Sequence, residues 1–306
     1  MQASRKTPEK TSAQSAAKTS ANAKLMLSVS MAVFGTIGFF SRHIAVSSGE
    51  LALYRAILAS VLILVYLTAT KQKIPFTKMK KELPLLLLSG MAMGINWILL
   101  FQAYRYTTIS VATLSYYFAP VIVTVVCPFL FHERLTGKQI LCFVMSTIGL
   151  VMIIGIGSLG QSGTDLLGIF YGLGAAAFYA AVILLNKFIR QVKDIHRTLL
   201  QFLAAVLILI PYVACTGGST LGALDIKGWI CLLIVGLFHT GITYCMYFSA
   251  LKDLSGQETA ILSYIDPLVA VLVSVFILGE AMTVSQALGG LLILGFTLWN
   301  EKSSQS

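Results

Sequence analysis

Apolar stretches of roughly 20 residues recur along the whole chain, and nearly all of its charges sit in the short segments between them. That pattern leaves few folds open. A bilayer core is about 30 Å thick, so a helix needs roughly 20 mostly apolar residues to cross it. Backbone groups in lipid must pair internally, and only helices or closed barrels achieve that. The stretches are continuous rather than alternating, which excludes the barrel. Charged residues make up 11% of the chain, against roughly 25% in a soluble domain. The expectation is an all-α integral membrane protein.

Ten transmembrane helices are expected, near residues 25–45, 49–69, 83–102, 108–131, 138–157, 166–186, 198–215, 228–250, 257–278 and 284–300. Residues 1–24 are rich in Ser, Thr, Ala, Gln and Lys and read as a disordered cytoplasmic tail. The run from Leu25 to Ala45 is too long for a signal peptide and reads as the first span. Cytoplasmic loops carry the excess of Lys and Arg. With ten spans, eighteen of these residues fall on the side of the termini and three, Arg42, Arg105 and Lys227, on the other, with Arg55 inside a span. Both termini are therefore expected in the cytoplasm, with the chain in the cell (inner) membrane. The net charge of +10 belongs to this asymmetry rather than to a nucleic-acid surface. Five cysteines, Cys127, Cys142, Cys215, Cys231 and Cys245, show no Cys-x-x-Cys spacing and read as small core residues rather than disulfide or metal groups.

The chain matches itself at an offset of 147, laying Gly94–Ile148 over Gly241–Gly295. Tyr117/Tyr264, Pro120/Pro267, Glu133/Glu280, Thr136/Thr283 and Gln139/Gln286 pair identically. A weaker match at offset 145 lays Ala59–Leu64 over Ala204–Leu209. The whole chain then reads as five spans, repeated. Five is odd, so the second copy enters the membrane upside down, giving two inverted five-helix repeats. Such repeats, with a substrate site at the midplane between them, recur in secondary transporters.

The stretches FAPVIVTVVCPFLFHERLTGKQ and IDPLVAVLVSVFILGEAMTVSQ carry a family resemblance. Residues 25–157 and 166–300 each resemble an EamA-type domain of the drug/metabolite transporter superfamily. Members like this export amino acids, other metabolites or toxic compounds, while relatives carry sugar phosphates or nucleotide sugars. The resemblance implies a ten-span carrier with a central cavity, alternating access and no bound cofactor.

Several polar residues stand inside the spans. A carboxylate at membrane depth costs about 2.5–3.5 kcal/mol even on lenient insertion scales, so Asp266 should face a cavity or a partner. Arg55 lies about 10 Å below the outer end of its span, by the 1.5 Å rise per residue. The two are expected to bracket a substrate, Arg55 holding a carboxylate and Asp266 an ammonium. Alternatives stay open: Asp266 as a structural carboxylate or proton carrier, and Arg55 snorkelling outward as an anchor. Asn96, Trp97, Tyr116, Tyr117, Tyr244, Tyr247 and Tyr264 form a group of polar groups and aromatics suited to an amphipathic ligand. His239 joins the expected substrate-binding set as a group able to relay protons, with a purely structural role as the other reading. Pro120 and Pro267 are expected to kink their spans and act as hinges. Glu133 and Glu280 are expected to cap the next helix or latch a gate.

These features favour a secondary transporter of a small metabolite, an amino acid or similar amphipathic compound, working as an exporter by alternating access and open to proton coupling. The alternatives are an integral-membrane enzyme, or an importer or exchanger of nucleotide- or sugar-type metabolites. The enzyme is disfavoured: Gly-x-Ser-x-Gly, a complete His-Glu-x-x-His, paired intramembrane aspartates and a Gly-rich phosphate loop do not occur in the sequence. Neither oligomeric state nor substrate identity follows from the residues.

Overall fold

The computed structural model describes residues 7–72, 76–131, 136–154, 163–189, 191–192, 194–251, 254 and 262–303. Every regular element among them is helical. The helices are α1 (Thr7–Gly35), α2 (Ile37–Ser41), α3 (Ser48–Ala69), α4 (Phe76–Tyr106), α5 (Ile109–Tyr116), α6 (Ala119–Phe131) and α7 (Gly137–Ile154). They continue as α8 (Gly163–Phe188), α9 (Asp194–Cys215), α10 (Ile226–Leu233), α11 (Thr243–Leu251), α12 (Ile265–Leu272) and α13 (Val284–Ser303). Two π-helical stretches, Ile234–Ile242 and Val273–Ile277, continue α10 and α12.

Six helical stretches are long and apolar enough to cross a membrane: Ala21–Ser41, Ser48–Ala69, Lys80–Tyr106, Asp165–Asn186, Ile195–Cys215 and Ile226–Tyr247. Four shorter apolar helices accompany them, at Ile109–Val123, Ile140–Ile153, Ile265–Ile277 and Val284–Phe296. The protein is a multi-pass helical membrane protein. Helix α1 starts at Thr7 with Pro8 in its first turn, where a missing amide costs nothing. Residues 7–24, which composition marks as a tail, are thus part of a helix continuous with the first apolar run.

The two sequence repeats interleave rather than stand apart. Helix α4 packs on α8 and α9, α3 on α9 and the Ile234–Ile242 stretch, α1 on α11 and α12, and α7 on α13. The largest buried cluster, including Leu53, Trp97, Phe101, Phe202 and Leu209, therefore draws on both copies. Glycines set the closest approaches. A side chain at Gly90 would collide with the backbone of Gln201, and Gly149 and Gly289 face each other across α7 and α13.

Local chemistry fixes the helix starts. Ser47 and Glu50 form a capping box on α3, with Glu50 N donating to Ser47 Oγ at 3.1 Å and Ser47 N to Glu50 Oε2 at 2.9 Å. Thr283 and Gln286 do the same for α13, at 3.2 and 2.9 Å. This gives the repeated Thr-x-x-Gln a physical reason. Glu280 does not cap α13, the helix that follows it; its carboxylate accepts from Ile109 N, at the start of α5, at 2.8 Å. Glu133 lies outside the described residues, as do the ends of the expected fifth and ninth spans at 155–157 and 257–261.

The prolines sit differently from the expected mid-helix kinks. The chain already turns at Tyr117–Phe118 and at Tyr264, so Pro120 and Pro267 occupy the first turns of α6 and α12. There the absent amide has no helical partner to lose.

Candidate functional site

A cavity of about 430 Å³ opens within the bundle, lined by residues of both sequence repeats. Arg55, Asn96, Trp97, Tyr116, Tyr117, Pro120, Tyr244, Tyr264 and Asp266, all singled out from the sequence, lie on its wall, as does Tyr247. His239 and Pro267 do not.

Arg55 enters from α3. It is 3% exposed, so it turns into the protein rather than snorkelling to the membrane surface. Its Nε donates to Thr240 Oγ1 at 3.0 Å. Its guanidinium carbon stands 4.4 Å from the centroid of Trp97 and 5.2 Å from that of Phe101, distances at which the aromatic faces stabilise the cation. Thr240 belongs to the Ile234–Ile242 π-stretch and itself donates to Val235 O at 2.7 Å. Among the described residues no acceptor meets the two terminal nitrogens of Arg55. A planar fork of N–H groups with that freedom matches a carboxylate or another planar anion.

Asp266 lies in the first turn of α12. Tyr117 Oη donates to its Oδ2 at 2.8 Å and approaches Ser263 O at 3.4 Å. Arg55 and Asp266 make no ion pair with each other, although both line the same cavity. The cavity wall is also aromatic. Tyr116 and Tyr179 have ring centroids 5.2 Å apart and Phe34 and Tyr244 4.9 Å, and Phe202 backs Tyr244 from the core at 5.3 Å. Asn96 is anchored by donating to Ala175 O at 2.6 Å.

The placement of His239 corrects the expectation that it faces a ligand. Both ring nitrogens are engaged, Nε2 with Thr36 Oγ1 at 2.9 Å and Nδ1 with Ile234 O at 3.3 Å, and Phe40 packs against the ring at 5.0 Å. It is 1% exposed and joins α1, α2 and the π-stretch. Residues not singled out from the sequence also line the cavity, among them Tyr104, Thr113, Tyr179, Asn186, Arg197 and Gln201. Gln201 bridges Ser89 Oγ and Asn186 Oδ1, each at 2.8 Å.

A polytopic bundle enclosing a polar and aromatic cavity between two sequence repeats is the architecture of a membrane transporter. The chain belongs to the EamA-like transporter family, whose model matches it twice, at residues 22–155 and 166–300. It is 31% identical over 278 residues to Uncharacterized transporter YxxF of Bacillus subtilis, covering 90% of this chain and 88% of that one. It is 25% identical to an uncharacterized transporter of Clostridium kluyveri over 70% of each chain. One solved crystal structure superposes with a TM-score of 0.63 at 16% identity, covering 90% of this chain and 95% of the other, which shows a shared fold.

Proposed function

We propose that this chain is a ten-span secondary transporter that exports a small amphipathic metabolite of amino-acid type across the cell membrane by alternating access. The observation that carries this reading is the unpaired charge couple in the cavity. One repeat contributes Arg55 and the other Asp266, both on the wall of one 430 Å³ space and neither neutralising the other. Buried charge within a membrane is costly and tends to mark a substrate path. A zwitterion would complete both sites, its carboxylate on Arg55 and its ammonium on Asp266, with the tyrosines packing against its apolar part. Coupling to protons through Asp266 belongs to the same reading.

The ten spans are the six long and four shorter apolar helices, the second set of five inverted relative to the first. Contacts support this arrangement. Arg42, assigned by charge to the outer side, meets both Thr107 and Glu280, which the same topology places there. Glu82, Gln191 and Val192, assigned to the cytoplasmic side, meet through bonds of 2.9 Å from both backbone amides to the Glu82 carboxylate. Both termini then lie in the cytoplasm.

The test is flux. Purified protein in liposomes is loaded with a panel of amino acids, amines and nucleosides, after thermal-shift screening picks the ligands that stabilise the folded state. Saturable flux of a zwitterion, accelerated by an imposed pH gradient if protons are coupled, is expected. Full activity of Asp266→Asn, or flux only of compounds lacking a carboxylate, overturns the assignment.

A further inference from the structure

Toward the outer side the cavity lining gives way on three elements to a polar cluster. Its last lining residues there include Ile37, Thr113 and Ala270. About one helical turn further out on each element stand Arg42, Ile109 and Ser274. Arg42 pairs with the Glu280 carboxylate and donates from Nη2 to Thr107 O at 3.2 Å. Glu280 also accepts from Ile109 N at 2.8 Å and from the Ser274 hydroxyl. Ser274 Oγ in turn accepts from Ser110 N at 3.3 Å. The links from Glu280 and Ser274 to Arg42, Ile109 and Ser110 join the first family-matched segment to the second, while the Arg42–Thr107 bond braces the first from within.

We propose that Arg42, Glu280 and Ser274 form a releasable latch, the outer gate of the carrier, closed in this structure. The proposal rests on the transporter reading above. Three observations distinguish a latch from a fixed structural joint. The closure is polar, so water can replace each bond as it breaks, whereas the apolar core a turn away has no such substitute. The Arg42 side chain is 36% exposed and that of Glu280 8%, so water reaches the pair from the arginine side, where a released guanidinium can be solvated. The strap that carries Glu280 is also built to change shape. It runs from the π-helical Val273–Ile277 through Gly279, whose φ of +66° suits glycine above other residues. A second, small pocket lies beyond the barrier, with Arg42, Arg105 and Phe101 on its wall, and Tyr104 borders both spaces. Release of the latch would join the two into one outward path.

The test uses the full chain in membranes, with its five own cysteines replaced by serine and a single reporter, Leu100→Cys, on the cavity wall. A small membrane-impermeant thiol reagent is applied to the outer face. Arg42→Gln and Glu280→Gln should each raise the labelling rate about tenfold, because the open population grows by the factor that the lost bond contributed to the closed state. The charge-reversed pair Arg42→Glu with Glu280→Arg should bring the rate back toward the parent value. Unchanged labelling in both single variants overturns the latch. Should either fail to insert, Ser274→Ala removes one hydroxyl only: a smaller rise supports the latch and no change overturns it. Reagent applied to the inner face separates this inference from the one it rests on. A reporter reached from inside leaves the carrier reading standing when the latch fails, and a reporter reached from neither face overturns both.

Discussion

The two family-matched segments of this chain are copies in outline and differ where the cavity is built. At offset 147 the first copy has Ala119 where the second has Asp266, and at offset 145 the second has Leu200 where the first has Arg55. Helix α4 runs unbroken from Phe76 to Tyr106, while its counterpart turns π-helical over Ile234–Ile242, and that is the stretch that holds Arg55 through Thr240. The counterpart of the Val273–Ile277 π-turn lies inside the regular helix α6. What the copies share makes the frame, and what they do not share makes the site. A symmetric pair of segments would present the same group on both walls. This pair presents a cation on one and an anion on the other.

Making the copies alike is therefore the direct way to break the comparison. Asp266→Ala and Arg55→Leu each install the residue of the other copy. Each should lower zwitterion flux about 100-fold, given about 1.5–3 kcal/mol for a hydrogen bond to a charged group on top of the lost ion contact. Counterflow in liposomes measures it, and near-normal flux in either would show that the asymmetry is incidental. Gly35 offers the next test, since its counterpart at offset 145 is Ala180. A methyl at Gly35 would stand 2.5 Å from the carbonyl oxygen of Asp266 and 2.7 Å from Val269 Cβ. Gly35→Ala should cost about 1–3 kcal/mol by overpacking, read as a lower melting temperature in detergent, with weakened ligand stabilisation because α12 carries Asp266.

Smaller effects sharpen the picture. Thr240→Val keeps the shape and removes the anchor on Arg55, at about 1 kcal/mol for one hydrogen bond. Apparent affinity should fall about fivefold while maximal flux is nearly kept. Thr283→Ala removes one half of the capping box on α13, with about 0.5–1 kcal/mol lost from stability. The cap is exposed and remote from the cavity, so transport should not change. A transport defect there would mean that the shared frame also takes part in function.

Much of the frame was legible from composition alone, since a long apolar run has few ways to satisfy its backbone in lipid other than a helix. The group of polar residues now found on the cavity wall was legible for a related reason: Asn96, Tyr117 and Asp266 stand out within apolar surroundings. Where a polar residue in a span finds its partner was not legible. His239 looks as exposed to a ligand as Tyr244 does, yet Thr36 and Ile234 take up both its nitrogens. Asn186, Arg197 and Gln201 lie near span ends, where polar groups ordinarily face water, so nothing in the sequence marks them for the cavity. The π-stretches were hidden because a π-turn and an α-turn draw on the same residue types. The role of Glu280 depended on Ile109 and Arg42, far away in sequence and close only after folding.

The contact between α7 and α13 carries a mechanical consequence. Gly149 and Gly289 bring two backbones together with no room for a methyl on either, and this seam joins the closing helices of the two segments away from the cavity. Backbones in such contact can roll on one another, whereas parting them forfeits the close packing that the glycines permit. Movement of the segments should then be a swing about this edge, like covers about the spine of a book, with displacement smallest at the glycines and largest at the cavity mouth.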